Sequence, residues 1–151
     1  MDNEALKASL LPLNANLTFE EGGEWVNVFV PYNELKPLLK TLQGEPDLYF
    51  NYLFCLTCVD WKTHLTMVYH LTSLKWQHNL VVKAVLNREN PQIETVCDIW
   101  KTAEFLEREV YELFGVEFLH HPDLRRLILT DDFKGWPLRK DFEDPVNMIK
   151  L

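Results

Sequence analysis

Residues 49–60, 65–74 and 79–86 are three successive stretches rich in aromatic and β-branched side chains, separated only by short polar turns. That pattern predicts three neighbouring strands of one sheet, and the rest of the chain has to cover it. Upstream, residues 17–21 and 24–30 alternate around Gly22-Gly23, a hairpin signal because both glycines accept positive φ. Val26, Val28 and Val30 then share one side. The period changes at Leu35, Leu38, Leu39 and Leu42, whose spacing predicts a helix of three turns, with Pro37 tolerable near its start. Residues 2–11 predict a short helix ended by Pro12, and residues 87–92 a polar loop. Beyond it Val96, Ile99, Trp100, Ala103, Leu106, Val110, Leu113 and Phe114 hold a helical stripe for five turns, with a break expected near Lys101 and a stop at Gly115. The expected fold is a single α+β domain. It has a mainly antiparallel or mixed sheet, helices packed on one face and an extended, irregular C-terminal segment. Residues 1–119 form the core in this reading and residues 120–151 the extended segment.

With 151 residues, 47% of them hydrophobic, the chain suits one domain with a real core. A net charge of -8 without a basic block disfavours a nucleic-acid partner or an anionic membrane surface. No apolar run approaches the roughly 20 residues of a bilayer span, and the acidic start lacks a secretion or transit pattern, so a soluble cytoplasmic protein is expected. Three irregularly spaced cysteines fit thiols in a reducing compartment.

Residues 107–142 are the unusual part. Past Gly115 no period of 2 or 3.6 persists, yet Phe118, Leu124, Leu127, Ile128, Leu129, Phe133, Trp136, Leu138 and Phe142 stay apolar. Arg125, Arg126, Lys134, Arg139 and Lys140 are interleaved with Asp123, Asp131, Asp132 and Asp141. Large apolar anchors among guanidiniums and carboxylates are the composition of a protein interface. Residues 121–142 are therefore expected to be held loosely by their own domain and ordered by a partner.

Chemistry in the ordinary sense finds little support. Cys55-Leu56-Thr57-Cys58 is a C-x-x-C in a strand, where residues three apart face opposite sides, and buried, inert thiols are expected. His64, His70 and His78 are too far apart to share a metal ion, and the adjacent His120 and His121 diverge. Glu104, Arg108 and Glu112 are i, i+4 neighbours and predict ion pairs on a helix rather than paired catalytic acids. A rival reading makes Glu109, Glu112 and His121 the acid–base or metal site of a stand-alone enzyme.

Glu107-Arg108-Glu109, Glu112, Leu113-Phe114, His121, Arg125 and Leu127-Ile128 together resemble the motif of the 30-kDa subunit of respiratory NADH:quinone oxidoreductase, complex I. Pro137-Leu138-Arg139-Lys140-Asp141-Phe142 is similar to that family's closing motif and Val68-Tyr69-His70-Leu71 to its middle strand; the chain departs from the usual pattern at Glu112, His120, Trp136 and Glu143. The resemblance implies a non-catalytic assembly subunit of the peripheral, quinone-reducing arm, on the cytoplasmic side of the cell inner membrane. Such a protein has no metal or cofactor of its own. FMN, iron-sulfur clusters and quinone belong to partner subunits, among them a hydrogenase-like large subunit and iron-sulfur subunits, and the membrane is reached only through the complex. Equivalent subunits serve complex I-like hydrogenases and quinone oxidoreductases with other electron donors. The residues expected to contact partners are Glu107, Arg108, Glu109, His121, Arg125, Arg126, Trp136, Arg139, Lys140, Asp141 and Phe142.

Overall fold

The structure, a computed structural model, describes residues 1–146. The three expected strands are β3 (Tyr52–Asp60), β4 (Leu65–Ser73) and β5 (His78–Leu86), paired antiparallel in sequence order. β1 (Thr18–Glu20) pairs antiparallel with β2 (Val26–Phe29), and β2 joins β5 in parallel, giving a mixed sheet of order β1-β2-β5-β4-β3. Its register lines side chains into rows. Val28, Val82, Tyr69 and Leu56 stand side by side across four strands, and Ala84, Met67 and Cys58 form the next row. All seven are buried, because three helices cover this face.

Those helices are α1 (Asn3–Leu10), α2 (Leu35–Gly44) and α3 (Ala103–Phe114). Asp2 caps α1 by accepting the Ala5 N–H at 2.8 Å, and Leu6 and Leu10 enter the core. Leu35, Leu38, Leu39 and Leu42 form the buried stripe of α2, as their spacing requires. Pro37 falls in the first turn, where its missing N–H costs nothing.

Three expectations are corrected. The link between β1 and β2 is five residues long, not a Gly-Gly turn, and of the two glycines only Gly22 takes positive φ (86°). The Asn27 side chain donates to the Trp25 carbonyl at 2.9 Å, in the stretch just before β2. The stripe from Val96 does not make one long helix. Residues 97–102 form turns, because Trp100 Nε1–H donates to the Phe50 carbonyl (3.1 Å) and the Thr102 hydroxyl to the Leu53 carbonyl (2.8 Å), fastening this stretch to β3. Finally, the polar loop runs only to Pro91 and is followed by an unexpected strand, β6 (Gln92–Glu94), which pairs in parallel with β7 (Glu117–Leu119) just beyond α3.

Gly115 ends α3 at φ 77°, its N–H donating to the Tyr111 carbonyl at 3.0 Å. A Cβ here would also lie 2.6 Å from the Trp136 ring. Gly115→Ala is therefore expected to destabilise the fold by about 1–3 kcal/mol from the left-handed backbone alone, and by more if Trp136 is displaced. In denaturant unfolding the midpoint should fall at unchanged slope. An unchanged midpoint would refute this packing.

A helix that fastens the C-terminal segment

Helix α3 carries buried charge on two sides. Glu107, 0% exposed, accepts the Thr95 hydroxyl at 2.5 Å and the Val96 N–H at 2.7 Å. Thr95 N–H in turn donates to the Leu119 carbonyl at 3.0 Å, so one carboxylate ties the end of β6 to α3 beside β7. Burial pushes the Glu107 carboxyl up to about 7, against the lowering effect of those two hydrogen bonds.

Turned away from it, Arg108 donates from Nε to the Arg125 carbonyl and from its terminal nitrogen to the Arg126 carbonyl, each at 3.0 Å. Its guanidinium also lies 5.4 Å from the Phe105 ring. One turn on, buried Glu112 accepts the successive N–H groups of Leu127, Ile128 and Leu129 at 2.9–3.0 Å. Its burial opposes ionisation. The three N–H donors and Arg108 outweigh that cost and hold the carboxyl below its ordinary value. The hydrogen bonds of Arg108 and Glu112 thus go to the backbone of the segment beyond β7, not to the i, i+4 pairing expected of them.

The remaining contacts follow the same course. His121 accepts the Asp123 N–H on Nδ1 (3.0 Å), which leaves its ring proton on Nε2, facing the Glu104 carbonyl at 2.9 Å. Its Nε2 is 3.9 Å from Glu107. Leu138 N–H donates to the Leu113 carbonyl (3.1 Å) and Arg139 Nε–H to the Phe114 carbonyl (2.7 Å), so the last carbonyls of α3 are capped by the segment itself. Trp136 lies over Gly115, 6.4 Å from the Tyr111 ring, and Phe142 stacks on Phe133 at 5.9 Å. Arg126 donates to the Thr130 carbonyl. Residues 121–142, expected to be held loosely by their own domain, are met along α3 by a set of donors and acceptors that its sequence did not advertise as such. Residues 147–151 lie outside the described residues.

The far end is fastened by a group that the sequence-based expectations do not include. Asp60, on the core face at the end of β3, accepts both Arg88 Nε–H and a terminal N–H (3.0 and 2.9 Å), together with the Lys62 and Lys140 N–H groups at 2.8 Å. Arg88 reaches Asp141 as well, at 3.0 Å. The guanidinium of Arg88 holds the Asp60 carboxyl well below the usual range, despite burial. The available signal was periodicity: Leu56, Cys58 and Asp60 alternate onto one face, and an acid on a core face needs a partner.

Of the residues expected to contact partners, Glu107 and Arg108 are enclosed by their own chain and Glu109 is half-buried near Cys55. Arg125 is exposed and paired with Asp123 at 3.0 Å, while Lys140 lies 5.9 Å from the Trp61 ring and Asp141 is exposed. The structure brings Arg108, Glu112, His121, Trp136 and Arg139 onto one helix and leaves Lys140, Asp141 and Phe142 at its far end. Cys58 is buried, with its thiol pushed up to about 12 by burial, but Cys55 is only half-buried, which corrects the expectation for that thiol; Cys97 is half-buried as well. Among the described residues no group of three or more His, Cys, Asp or Glu is placed to hold a metal ion, and no helix is long and apolar enough to cross a membrane.

Because the Glu107 carboxyl titrates higher in the folded chain than the 4.5 of an ordinary glutamate, the folded state holds its proton more tightly. Its contribution to stability is fully present below about 4.5 and is lost as pH rises through about 7. Unfolding free energy measured between those values should decline with pH, and Glu107→Gln should flatten the decline. An identical slope in that variant would contradict the assignment.

Comparison with known proteins follows the same residues. The C subunit of NADH-quinone oxidoreductase from Moorella thermoacetica is 39% identical over 129 residues, 84% of this chain and 86% of that protein. The C/D subunit of the NADH-quinone oxidoreductase from Phocaeicola vulgatus is 43% identical over 125 residues, 81% of this chain but only 24% of that longer protein, so the chain spans about a quarter of it. Among solved structures, a chain of the membrane-bound sulfane sulfur reductase, an archaeal respiratory membrane complex, superposes with a TM-score of 0.80 at 26% identity, covering 93% of this chain and 85% of that one. The sequence profile of the respiratory-chain NADH dehydrogenase 30-kDa subunit matches residues 28–146, from β2 through α3 and the segment that α3 fastens, and the chain belongs to that family.

Proposed function

We propose that this chain is a non-catalytic positioning subunit in the peripheral, quinone-reducing arm of a complex I-type NADH:quinone oxidoreductase, where electron transfer is coupled to proton translocation. One observation carries the reading. Glu107, Arg108, Glu112 and His121, through which the chain resembles its family, each hold another segment of the chain by hydrogen bonds. Their chemistry is that of fasteners. The acid–base alternative built on Glu109, Glu112 and His121 loses two of its three groups to the same bonds, since Glu112 accepts three backbone N–H groups and both His121 nitrogens are engaged.

In this reading residues 120–151 are the partner-binding part of the domain, with exposed Ile128 (68%) and Leu138 (53%) as anchors beside Arg125, Arg126, Lys140 and Asp141. The partners are a hydrogenase-like large subunit and iron-sulfur subunits. FMN, clusters and quinone reside in partner chains, and this subunit keeps those chains in register so that cofactor separations stay fixed. It lies on the cytoplasmic side of the inner membrane, attached only through the complex. The C subunit of the F(420)H(2) dehydrogenase from Methanosarcina mazei, 39% identical over 121 residues, favours one variant of the reading, in which the complex takes electrons from another donor.

Copurification of the tagged chain from detergent-solubilised native membranes tests this. The expected result is recovery of the large subunit and iron-sulfur subunits in equal amounts, with the donor-side subunits identifying the electron donor. Arg139→Glu, which breaks the bond to the Phe114 carbonyl, should lower the yield of complex well below that of Lys62→Glu in a turn. Recovery of the chain alone would overturn the proposal.

A further inference from the structure

The helices cover one face of the five-stranded sheet, and the register states what lies on the other. Asn27, Val81, His70 and Cys55 form one row across β2, β5, β4 and β3, and Phe29, Lys83, Val68 and Thr57 form the next. No element of the described chain packs over these rows, and a groove of about 500 Å³ opens between them. Val68 and Val81, themselves only 7% and 4% exposed, line it together with Thr57, Val59, Trp25 and His70. Trp25, Phe54 and His70 stand edge-on to one another at 5.6–5.9 Å, which fixes their rings and leaves an aromatic ridge over the groove.

Charge on this face is unevenly spent. Lys83 is neutralised by Glu20 at 2.7 Å and lies 5.5 Å from the Phe29 ring. Glu24 also lines the groove, and its carboxylate has no partner among the described residues. The occupant that complements this face carries apolar side chains against half-buried Trp25, His70, Thr57 and Val59 and a cation for exposed Glu24. It must also arrive with its own backbone satisfied, because the face of a sheet, unlike its edge, has no free N–H or C=O groups to offer. A helix meets that requirement by itself and a lone extended strand does not.

We propose that this face docks an amphipathic helix of another subunit of the same complex, its apolar side seated between Trp25 and Val59 and a Lys or Arg paired with Glu24. The sheet would then be covered on both faces, by its own helices on one and by a partner's on the other. This rests on the functional reading above, and the test separates the two. A photo-crosslinking residue is placed at half-buried Thr57 in the tagged chain, the complex is isolated from native membranes, and crosslinked peptides are sequenced. The expected product is a peptide of a different chain with apolar residues three and four apart and a Lys or Arg among them. Glu24→Lys, at an exposed position, should cut its yield by at least about threefold, as loss of a complementary pair does. If other subunits copurify but Thr57 crosslinks only within this chain, to lipid or to a second copy, the docking proposal is overturned and the functional reading stands. If no other protein of the complex is recovered, both fail.

Discussion

The structure depends on how α3 disposes of its buried charges. A carboxylate or guanidinium removed from water costs several kcal/mol unless hydrogen bonds replace its hydration. Glu107, Arg108 and Glu112 are all at most 5% exposed, so each must be met by groups with nowhere else to go. An irregular segment supplies such groups, because its backbone N–H and C=O lack a ladder of their own. Helix and segment thus satisfy one another: Arg108 takes two carbonyls, Glu112 takes the next three N–H groups, and the ends are closed by His121 and Arg139. Without the segment, α3 would hold uncompensated charge. Without α3, residues 125–129 would have unpaired backbone.

That mutual dependence gives a fixed outer surface. The sheet positions α3 through Trp100 and Thr102 on the backbone at and before β3, and Asp60 at the other end of β3 receives Arg88 and the Lys140 N–H. A segment pinned at both ends and along its middle presents its exposed side chains at defined positions, and ordering costs of roughly 1–2 kcal/mol per residue are met before any partner arrives. Preorganisation of this kind suits a protein whose work is to hold neighbours in place.

Much of this was legible in the sequence, for identifiable reasons. The long strands and α2 were readable because burial on one face imposes a period of 2 or 3.6, and Gly115 because a helix stop needs a left-handed residue. The motif from Glu107 to Ile128 identified the family, yet its acids looked like a solvated helical face, since i, i+4 spacing fits surface ion pairs equally well. What escaped was long-range. Three-residue strands such as β6 and β7 are too short to show a period. The start of α3 was set by Trp100 and Thr102 reaching for β3, which no local pattern encodes. Asp60 and Arg88 are 28 residues apart in sequence, and only the tertiary fold makes them partners.

Hydrogen exchange at the amides of Leu127, Ile128 and Leu129 tests this account most directly, because in the structure those three N–H groups depend on one carboxylate. Slow exchange in the native chain at neutral pH, lost at these three positions in Glu112→Gln while the β4 amides stay protected, is the result the account predicts. Exchange at unprotected rates in the native chain, or equal protection in the variant, would contradict it.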